Sequence, residues 1–242
     1  MFIEIGLYFI YNTFMEFVAI NKLSLLDYPN KVACIIYVSA CNFRCPFCHN
    51  GLTLLEDHES ILPFDEIVAF LRKRQGILDG VVISGGEPTL MPDLIEKIRV
   101  IKNLGFEVKL DTNGTNPDML QDLLDEGLLD YVAMDIKNTQ SKYDVTSGAK
   151  VNKERILESI EILKTAQIPH EFRTTLIKEY HTELDMIGIG KMLKGAKNLY
   201  LQQFQVSDGV INKELNPVDE ETAKKFADIL RDYVENVELR GY

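Results

Sequence analysis

Three of the four cysteines of the chain lie within eight residues, in the stretch Cys41-Asn-Phe-Arg-Cys45-Pro-Phe-Cys48. Thiolates are the ligands that soft metal centres and iron–sulfur clusters prefer. A loop with this cysteine spacing can wrap one face of a [4Fe-4S] cluster, and three ligands leave one of its four irons open. An open coordination position is typical of catalytic rather than structural metal sites. The stretch therefore predicts a reactive iron–sulfur site.

Two other uses of these cysteines have less support. A zinc site could recruit His49 or His58, but structural zinc sites usually combine two separated ligand pairs, and the sequence has no second pair. A disulfide framework would need more than four cysteines in 242 residues, and we find no convincing export signal. Cys34 lies in an apolar run typical of a buried strand, so we predict a core residue there rather than a fourth ligand.

Charge and length limit the classes of function. The chain has 37 acidic and 26 basic residues and a net charge of -11, which would repel the phosphates of a nucleic acid. A protein or a small molecule is the expected partner. No stretch approaches the roughly 20 apolar residues of a membrane span, so we expect no membrane contact. The apolar residues 1–14 lack the marks of a signal peptide. We interpret them as an extension or an added edge strand, and residues 15–242 as one domain.

Strand and helix patterns alternate along the rest of the chain. Six strands are predicted to begin near residues 31, 80, 106, 130, 170 and 198. The helices between them are predicted at about 63–76, 91–104, 117–126, 152–166 and 183–194. Because such helices allow right-handed crossovers between parallel strands, the pattern indicates an α/β fold.

Polar residues recur where these strands end. Gly85 and Gly86 would let the backbone approach a ligand closely, although Gly-Gly-Glu-Pro could also be a tight turn. Asp111 and Asp135 resemble helix caps, and each of the others could also cap a helix or lie on the surface. Parallel strands nevertheless bring their carboxyl ends together, beside the cysteine loop. The group suggests a site for a zwitterionic, hydroxyl-rich molecule and consists of Glu87, Asp111, Asn113, Asp135, Lys137, Arg173 and Gln203.

The motifs resemble those of a known family. Cys41-x3-Cys45-x2-Cys48 with an aromatic residue at Phe47 resembles the radical S-adenosylmethionine (radical SAM) signature, and residues 85–88 resemble its methionine-binding segment. Within this superfamily the chain is similar to glycyl-radical-enzyme activating enzymes, and most to activators of anaerobic ribonucleoside-triphosphate reductase. The motifs that carry this similarity are Leu-Leu-Asp-Tyr-Pro at 25–29, Cys-Pro-Phe-Cys-His-Asn at 45–50, Asp-Thr-Asn-Gly at 111–114, Met-Asp-Ile-Lys at 134–137 and Phe-Arg-Thr-Thr at 172–175.

The resemblance implies a fold, a pair of cofactors and an activity. The fold would be a partial (β/α)6 TIM-like barrel, with a [4Fe-4S] cluster on Cys41, Cys45 and Cys48 and SAM on the fourth iron. The reduced cluster would cleave SAM to methionine and a 5'-deoxyadenosyl radical, which abstracts hydrogen from a glycine of a partner enzyme. The implied partners are a glycyl radical enzyme and an electron donor such as flavodoxin or ferredoxin, in an anaerobic cytoplasm.

The resemblance also implies roles for single residues. Phe47 and His49 would flank the adenine, and the glycines with Glu87 would contact the methionine group. Asp111, Asp135 and Lys137 would contact amino, carboxylate or ribose groups. The last strand has Gln202-Gln203 where some activators have a histidine, which leaves its adenosine contact open. The implied cofactor contacts are Phe47, Cys48, His49, Gly85, Gly86, Glu87, Asp111, Asn113, Asp135, Lys137, Arg173 and Gln203.

Three alternatives stay open at the level of sequence. The chain could activate a different glycyl radical enzyme, of the pyruvate formate-lyase type. It could be a radical SAM enzyme that acts on a small molecule, since the motifs would look alike. A non-catalytic iron–sulfur or zinc module would need a fourth protein ligand, for which Cys34 is the available cysteine.

Overall fold

The computed structural model describes residues 15–51 and 61–242. Strands and helices alternate through most of this part of the chain. The strands are β1 Phe17–Ser24, β2 Ala33–Val38, β3 Gly80–Gly85, β4 Glu107–Thr112, β5 Tyr131–Asp135, β6 His170–Leu176, β7 Asn198–Gln203 and β8 Asn236–Arg240. The helices are α1 Phe64–Arg72, α2 Leu94–Asn103, α3 Pro117–Asp125, α4 Tyr143–Ser147, α5 Lys153–Thr165, α6 Glu183–Met192 and α7 Glu220–Leu230, with a 3-10 turn at Pro88–Leu90.

The strands form one eight-stranded sheet in which sequence neighbours are also spatial neighbours. From β2 to β8 each pair is parallel, whereas β1 runs antiparallel to β2. Within the described residues the sheet stays open between β1 and β8. Successive parallel strands joined by helices in this order are the winding of a barrel. The predicted α/β class and partial barrel are thereby confirmed.

The predicted number of six strands is wrong because the sheet continues beyond both ends of the predicted set. The six correspond to β2–β7, and β1 and β8 add an edge strand on each side. Both added strands carry several exposed or half-buried polar residues. Edge strands bury less of their surface than central strands, so their apolar pattern is weak. Helices α4 and α7 were also not predicted.

The two faces of the sheet differ in character. On the outer face, Ile83, Leu110 and Met134 are fully buried in the main apolar core, which includes residues of the helices. On the inner face the apolar cluster is small and contains Val82, while the buried Lys109 also points inward to the strand-end carboxylates. Because side chains alternate between faces along a strand, this barrel has a charged interior.

Helix caps come from residues other than the strand-end aspartates. The side chain of Asn116 accepts from the backbone at the start of α3, and Asn152 does the same for α5. Helix α6 begins with a capping box of Thr182 and Asp185. Each cap satisfies backbone N–H groups that the helix cannot pair itself. Asp111, at the end of β4, is therefore free to face the barrel interior.

Two sequence interpretations fall on residues that the structure does not describe. The extension at residues 1–14 and the zinc ligand His58 lie outside the described residues. In the described part, no helix is long and apolar enough to cross a membrane.

The last strand is tied to the barrel interior by an ion pair. Arg240 donates to both carboxylate oxygens of Glu171, at 3.1 and 3.2 Å. Glu171 is 1% exposed and also accepts from the Tyr131 hydroxyl at 2.9 Å. The Arg240 guanidinium lies 3.8 Å from the centre of the Tyr200 ring. A bidentate bond of this kind fixes the orientation of β8 as well as its position.

Replacement of Arg240 by Ala is expected to lower the free energy of unfolding by ~2 kcal/mol, because it leaves the buried Glu171 without its charged partner. Chemical denaturation measures this loss. The double variant Glu171→Gln with Arg240→Ala should be more stable than Arg240→Ala alone, since no charge is then left buried and unpaired. A double variant that is less stable than the single one would contradict this explanation.

Candidate functional site

The cysteine loop follows β2, at the end of the sheet where the parallel strands terminate. Cys45 is 6% exposed, Cys41 and Cys48 are half-buried, and all three are free thiols. The loop is shaped by its own turns, in which Cys48 N donates to Cys45 O at 3.0 Å and Gly51 N to Cys48 O at 3.1 Å. Cys41 Sγ accepts from Phe43 N at 3.3 Å. These bonds orient the thiols of a loop that has no regular secondary structure.

Distant parts of the chain hold this loop by backbone hydrogen bonds. Arg44 N donates to Ser147 O at 2.9 Å, and Asn212 N donates to Pro46 O at 2.9 Å. On the strand side, the amide of Glu87 donates to Ala40 O at 2.7 Å. Backbone bonds persist through side-chain substitution, so the loop's position depends mainly on how closely these segments approach one another.

Glycines make the close approach possible. A Cβ atom at Gly86 would lie 1.8 Å from Ala40 O, and one at Gly148 would lie 2.1 Å from Arg44 O. The sequence interpretation gave Gly85 and Gly86 the role of admitting a ligand. Both do line the cavity, but the space that their side chains would need is occupied by the backbone of residues 37–41. Their first structural role is to let the cysteine loop pack on β3.

Replacement of Gly148 by Ala tests this packing. Gly148 and Gly127 both have positive φ, at +66° and +64°, but no atom lies within 4 Å of a Cβ built at Gly127. Gly127→Ala should therefore cost only the backbone strain, ~1 kcal/mol. Gly148→Ala should cost ~3 kcal/mol, because the clash with Arg44 O adds to that strain. Denaturation curves that show equal losses for the two variants would contradict the packing role.

A cavity of about 210 Å³ opens beside the cysteine loop. Its wall combines thiols, aromatic rings, backbone of the glycine turn and charged groups of β4, β5 and β6. Twelve of the predicted site residues line it, namely Cys41, Cys45, Phe47, Cys48, His49, Gly85, Gly86, Asp111, Asn113, Asp135, Lys137 and Arg173. Most of the predicted site residues at the strand ends therefore lie beside the cysteine loop, as expected.

Glu87 and Gln203 do not line the cavity. The carboxylate of Glu87 is fully buried and accepts from Thr89 N at 3.1 Å, Thr112 Oγ1 at 2.7 Å and Asn113 N at 2.6 Å. It caps the 3-10 turn and joins the ends of β3 and β4, which is the cap role that sequence alone left open. The Gln203 amide oxygen accepts from Gln205 at 3.2 Å. A direct ligand contact of the Glu87 carboxylate would require it to leave these bonds, whereas the bond to Gln205 uses only the amide oxygen of Gln203.

Arg173 lies at the centre of the charged wall. Its Nε donates to Asp135 Oδ1 at 2.8 Å, and its Nη1 donates to Asp111 Oδ1 at 3.4 Å. Lys137 Nζ donates to Asp135 Oδ2 at 3.0 Å, and Lys109 Nζ lies 2.5 Å from Asp111 Oδ1. Three cations and two carboxylates leave one positive charge unbalanced within this group. An anionic group of a ligand, such as a carboxylate, would balance it.

These neighbours determine the ionisation of the group. Burial opposes the charged form of Asp135, but Arg173 and Lys137 outweigh burial and hold the pKa of its carboxyl below the usual range. Burial also opposes the Lys137 ammonium, yet Asp135 outweighs it and raises the pKa of Lys137 above its ordinary value. Asp135 and Lys137 are consequently ionised at neutral pH.

The thiols have a different balance. Burial raises the pKa of Cys41 to about 12 and that of Cys45 to about 11, although Lys137 acts in the opposite direction. Without a metal these thiols hold their protons at neutral pH, and a metal that binds them must displace the protons. In the described part of the chain, no three His, Cys, Asp or Glu side chains meet closely enough to hold one metal ion. A four-iron cluster fits this donor set, since each thiolate binds a different iron.

Cys34 is fully buried in β2 and belongs to the main apolar core, which confirms the predicted core role.

Several residues that matter at the site were not predicted. Lys109 stands two residues before Asp111, so the two-residue period of a strand could have placed both on one face. Ile211 lines the cavity from a segment to which no role was given. Neither Ser84, which donates to Asp111 at 3.0 Å, nor Arg44 had a recognisable signal.

The model of the radical SAM superfamily matches residues 35–187, a range that contains the three loop cysteines and the groups of β3 to β6. The chain belongs to the radical SAM superfamily. Membership of this superfamily implies a [4Fe-4S] cluster and SAM, and the thiols and the charged cavity wall fit both.

Relatives that match most of this chain carry the names of more than one activity. A protein of Methanocaldococcus jannaschii, named for a proposed role as a glycyl-radical enzyme activating enzyme, is 36% identical over 232 residues, which cover 91% of this chain and 94% of that protein. A protein of Sulfurisphaera tokodaii named as a probable GTP 3',8-cyclase is 30% identical over 208 residues, covering 83% of this chain and 64% of that protein.

A solved structure supports the fold. Streptococcus suis SuiB bound to S-adenosylmethionine matches with a TM-score of 0.66 over 84% of this chain and 48% of that protein, at 15% identity. The radical SAM protein therefore shares its fold with SuiB.

Proposed function

We propose that this radical SAM protein is an activase that generates a glycyl radical on a partner enzyme. The observation that carries the proposal is one cavity, in which three free cysteines of a loop face the charged ends of parallel strands. The relative from M. jannaschii, similar over nearly the whole length of both chains, supports activation of a glycyl radical enzyme as the particular reaction.

The side chains divide into two groups in this proposal. Cys41, Cys45 and Cys48 would hold the cluster, which together with SAM supplies the radical chemistry when both are bound. Lys137 and the Arg173 network would bind the carboxylate end of SAM, because they provide the unbalanced positive charge. The remaining proposed contacts are Phe47 and His49 at the adenine, the backbone of Gly85 and Gly86 at the methionine group, and Asp111, Asn113 and Asp135 at polar groups.

Glu87 has a supporting role in this proposal instead of a direct one. Its carboxylate fixes the amide of Asn113 at 2.6 Å, and its own amide is bonded to Ala40 in front of the cysteine loop. Glu87 would therefore hold the two halves of the site at a fixed separation. Gln203 bonds to Gln205 and does not line the cavity, so its proposed contact rests on the family resemblance alone.

The proposed protein substrate would be a glycine-bearing loop. Within the described residues, the sheet is open between β1 and β8, which leaves a lateral opening that such a loop could enter. We propose anaerobic ribonucleoside-triphosphate reductase as the partner enzyme, and a flavodoxin or ferredoxin as the electron donor, in an anaerobic cytoplasm. A glycyl radical enzyme of the pyruvate formate-lyase type is the alternative protein partner.

A small-molecule substrate is the second candidate, and it has a specific observation in its favour. The relative from S. tokodaii carries the name of a cyclase that acts on GTP, a small molecule. A cavity suited to SAM would serve a protein substrate or a small-molecule substrate, because the reductive cleavage of SAM comes first in both reactions.

SAM cleavage, the step common to both candidates, can be tested directly. The protein is reconstituted anaerobically with iron and sulfide, reduced, and mixed with SAM. We expect 5'-deoxyadenosine and methionine as products, measured by chromatography. Cys48→Ala should reduce their formation by at least about a hundredfold, because a cluster ligand is lost. Cys34→Ala, a change of a core thiol, is the matched control and should retain both cluster and activity. An intact cluster that yields no 5'-deoxyadenosine would overturn the proposal.

The test of the protein substrate uses electron paramagnetic resonance. The reduced protein and SAM are mixed either with a candidate glycyl radical enzyme or with GTP. We expect a glycyl radical signal on the enzyme, lost when its target glycine is replaced by Ala. Turnover of GTP without any glycyl radical signal would instead select the small-molecule candidate.

A further inference from the structure

His181 is a buried histidine in the loop between β6 and α6, at 3% exposure. Its ring lies outside the cavity and bridges two loops. Nδ1 is 3.0 Å from the backbone nitrogen of Ile177, and Nε2 is 3.0 Å from the backbone oxygen of Lys137. One side of this bridge is thus the residue whose ammonium group faces the proposed SAM site.

The contacts define the tautomer of the ring. The N–H of Ile177 can donate only to an unprotonated Nδ1, so the neutral ring carries its proton on Nε2 and donates to Lys137 O. The Ile177 oxygen also lies 3.2 Å from Nδ1, but it already accepts from the amides of Tyr180 and His181. Burial holds the pKa of His181 below its ordinary value, and it outweighs the hydrogen bonds to the backbone of Lys137 and Ile177, which act in the opposite direction. The neutral form is therefore the one that the surroundings favour.

The bridge reaches the cavity wall through Lys137. His181 fixes the carbonyl of Lys137, and the side chain of Lys137 extends into the cavity wall. There its Nζ lies 3.0 Å from Asp135 Oδ2 and 6.0 Å from the centre of the Phe47 ring. A second link runs in parallel, since Asn138 Nδ2 donates to Tyr180 O at 3.1 Å. The Tyr180 ring lies 6.4 Å from the Phe47 ring, centre to centre. The loop that carries His181 therefore supports both a cation and an aromatic ring of the site.

We propose that His181 is a positioning residue for SAM, which acts through its hydrogen bond from Nε2 to the carbonyl of Lys137. The bond fixes the backbone from which the Lys137 ammonium reaches into the cavity. A displaced ammonium would meet the SAM carboxylate in poorer geometry, and small displacements of positioning groups have large effects. The inference rests on the proposed function only in taking SAM as the ligand.

Two substitutions separate the two bonds of the ring. In His181→Gln the amide nitrogen can reach the place of Nε2 and donate to Lys137, whereas His181→Asn offers an acceptor near Nδ1 that cannot reach Lys137. Measured by equilibrium binding to the reconstituted protein, SAM affinity should fall about tenfold in His181→Asn and stay within about twofold of the original in His181→Gln. The KM for SAM should rise in His181→Asn with a smaller change in kcat.

His170 provides the matched control. It is also buried, at 6% exposure, but it begins β6 at the opposite end of the sheet, and its Nε2 has no partner in the described part of the chain. His170→Asn and His170→Gln should have equal SAM affinity even if both variants are less stable. A loss of affinity in His170→Asn as large as in His181→Asn would show that lower stability alone explains the effect, and would overturn the inference.

A second measurement needs no SAM. Acetic anhydride labels lysines, and mass spectrometry of the cluster-loaded protein gives the labelling rate of Lys137. The rate should rise about fivefold or more in His181→Asn, because the ammonium is less firmly held, and stay unchanged in His181→Gln. Failure of the unsubstituted protein to bind SAM would refute the proposed function, while this rate still decides the role of His181. Equal Lys137 labelling in the Asn and Gln variants would overturn the inference.

Discussion

The contacts of Arg173 with Asp111 and Asp135 are the interaction on which the site depends. Charged groups in a barrel interior lose their hydration, and the loss is acceptable only when the charges pair closely. Arg173 meets one carboxylate at 2.8 Å and the other at 3.4 Å, and thereby joins β4, β5 and β6. Removal of one member of such a buried network costs ~3–5 kcal/mol in proteins generally. This charged network also carries one positive charge that no carboxylate within it balances and that a ligand could use. Its bonds therefore contribute both to stability and to ligand binding.

A second constraint is the distance between the cysteine loop and this network. The loop has little regular structure, and its position follows from backbone contacts with the glycine turn after β3, with Ser147 and with Asn212. Glu87 connects the turn to Asn113 on the other side. The three cysteines of the loop and the charged wall are thereby held at a separation set by backbone packing. In a radical enzyme, such rigidity helps to direct the reactive group and to exclude competing reactions.

Sequence reasoning succeeded where a local pattern carries the structural information. The cysteine spacing and the polar residues near the ends of β4, β5 and β6 predicted most of the cavity wall, because parallel strands end at one edge. Sequence reasoning failed where the role of a residue depends on a contact with a distant part of the chain. The inward turn of the Glu87 carboxylate depends on donors from Thr112 and Asn113, and the role of Gly86 depends on the approach of Ala40. No local pattern predicts that His181 meets Lys137, 44 residues away in sequence.

The measurement that tests the central idea most directly is electron-nuclear double resonance of the reduced protein with SAM labelled by ¹⁵N and ¹⁷O in its amino and carboxylate groups. In the proposed site, three cysteine ligands would leave one iron open beside the positively charged wall, which would place the amino acid end of SAM at the cluster. We predict hyperfine coupling of the label to the cluster, as expected for direct coordination. Absence of coupling in a protein that has an intact cluster and is saturated with SAM would contradict the idea that the cluster and SAM share one site.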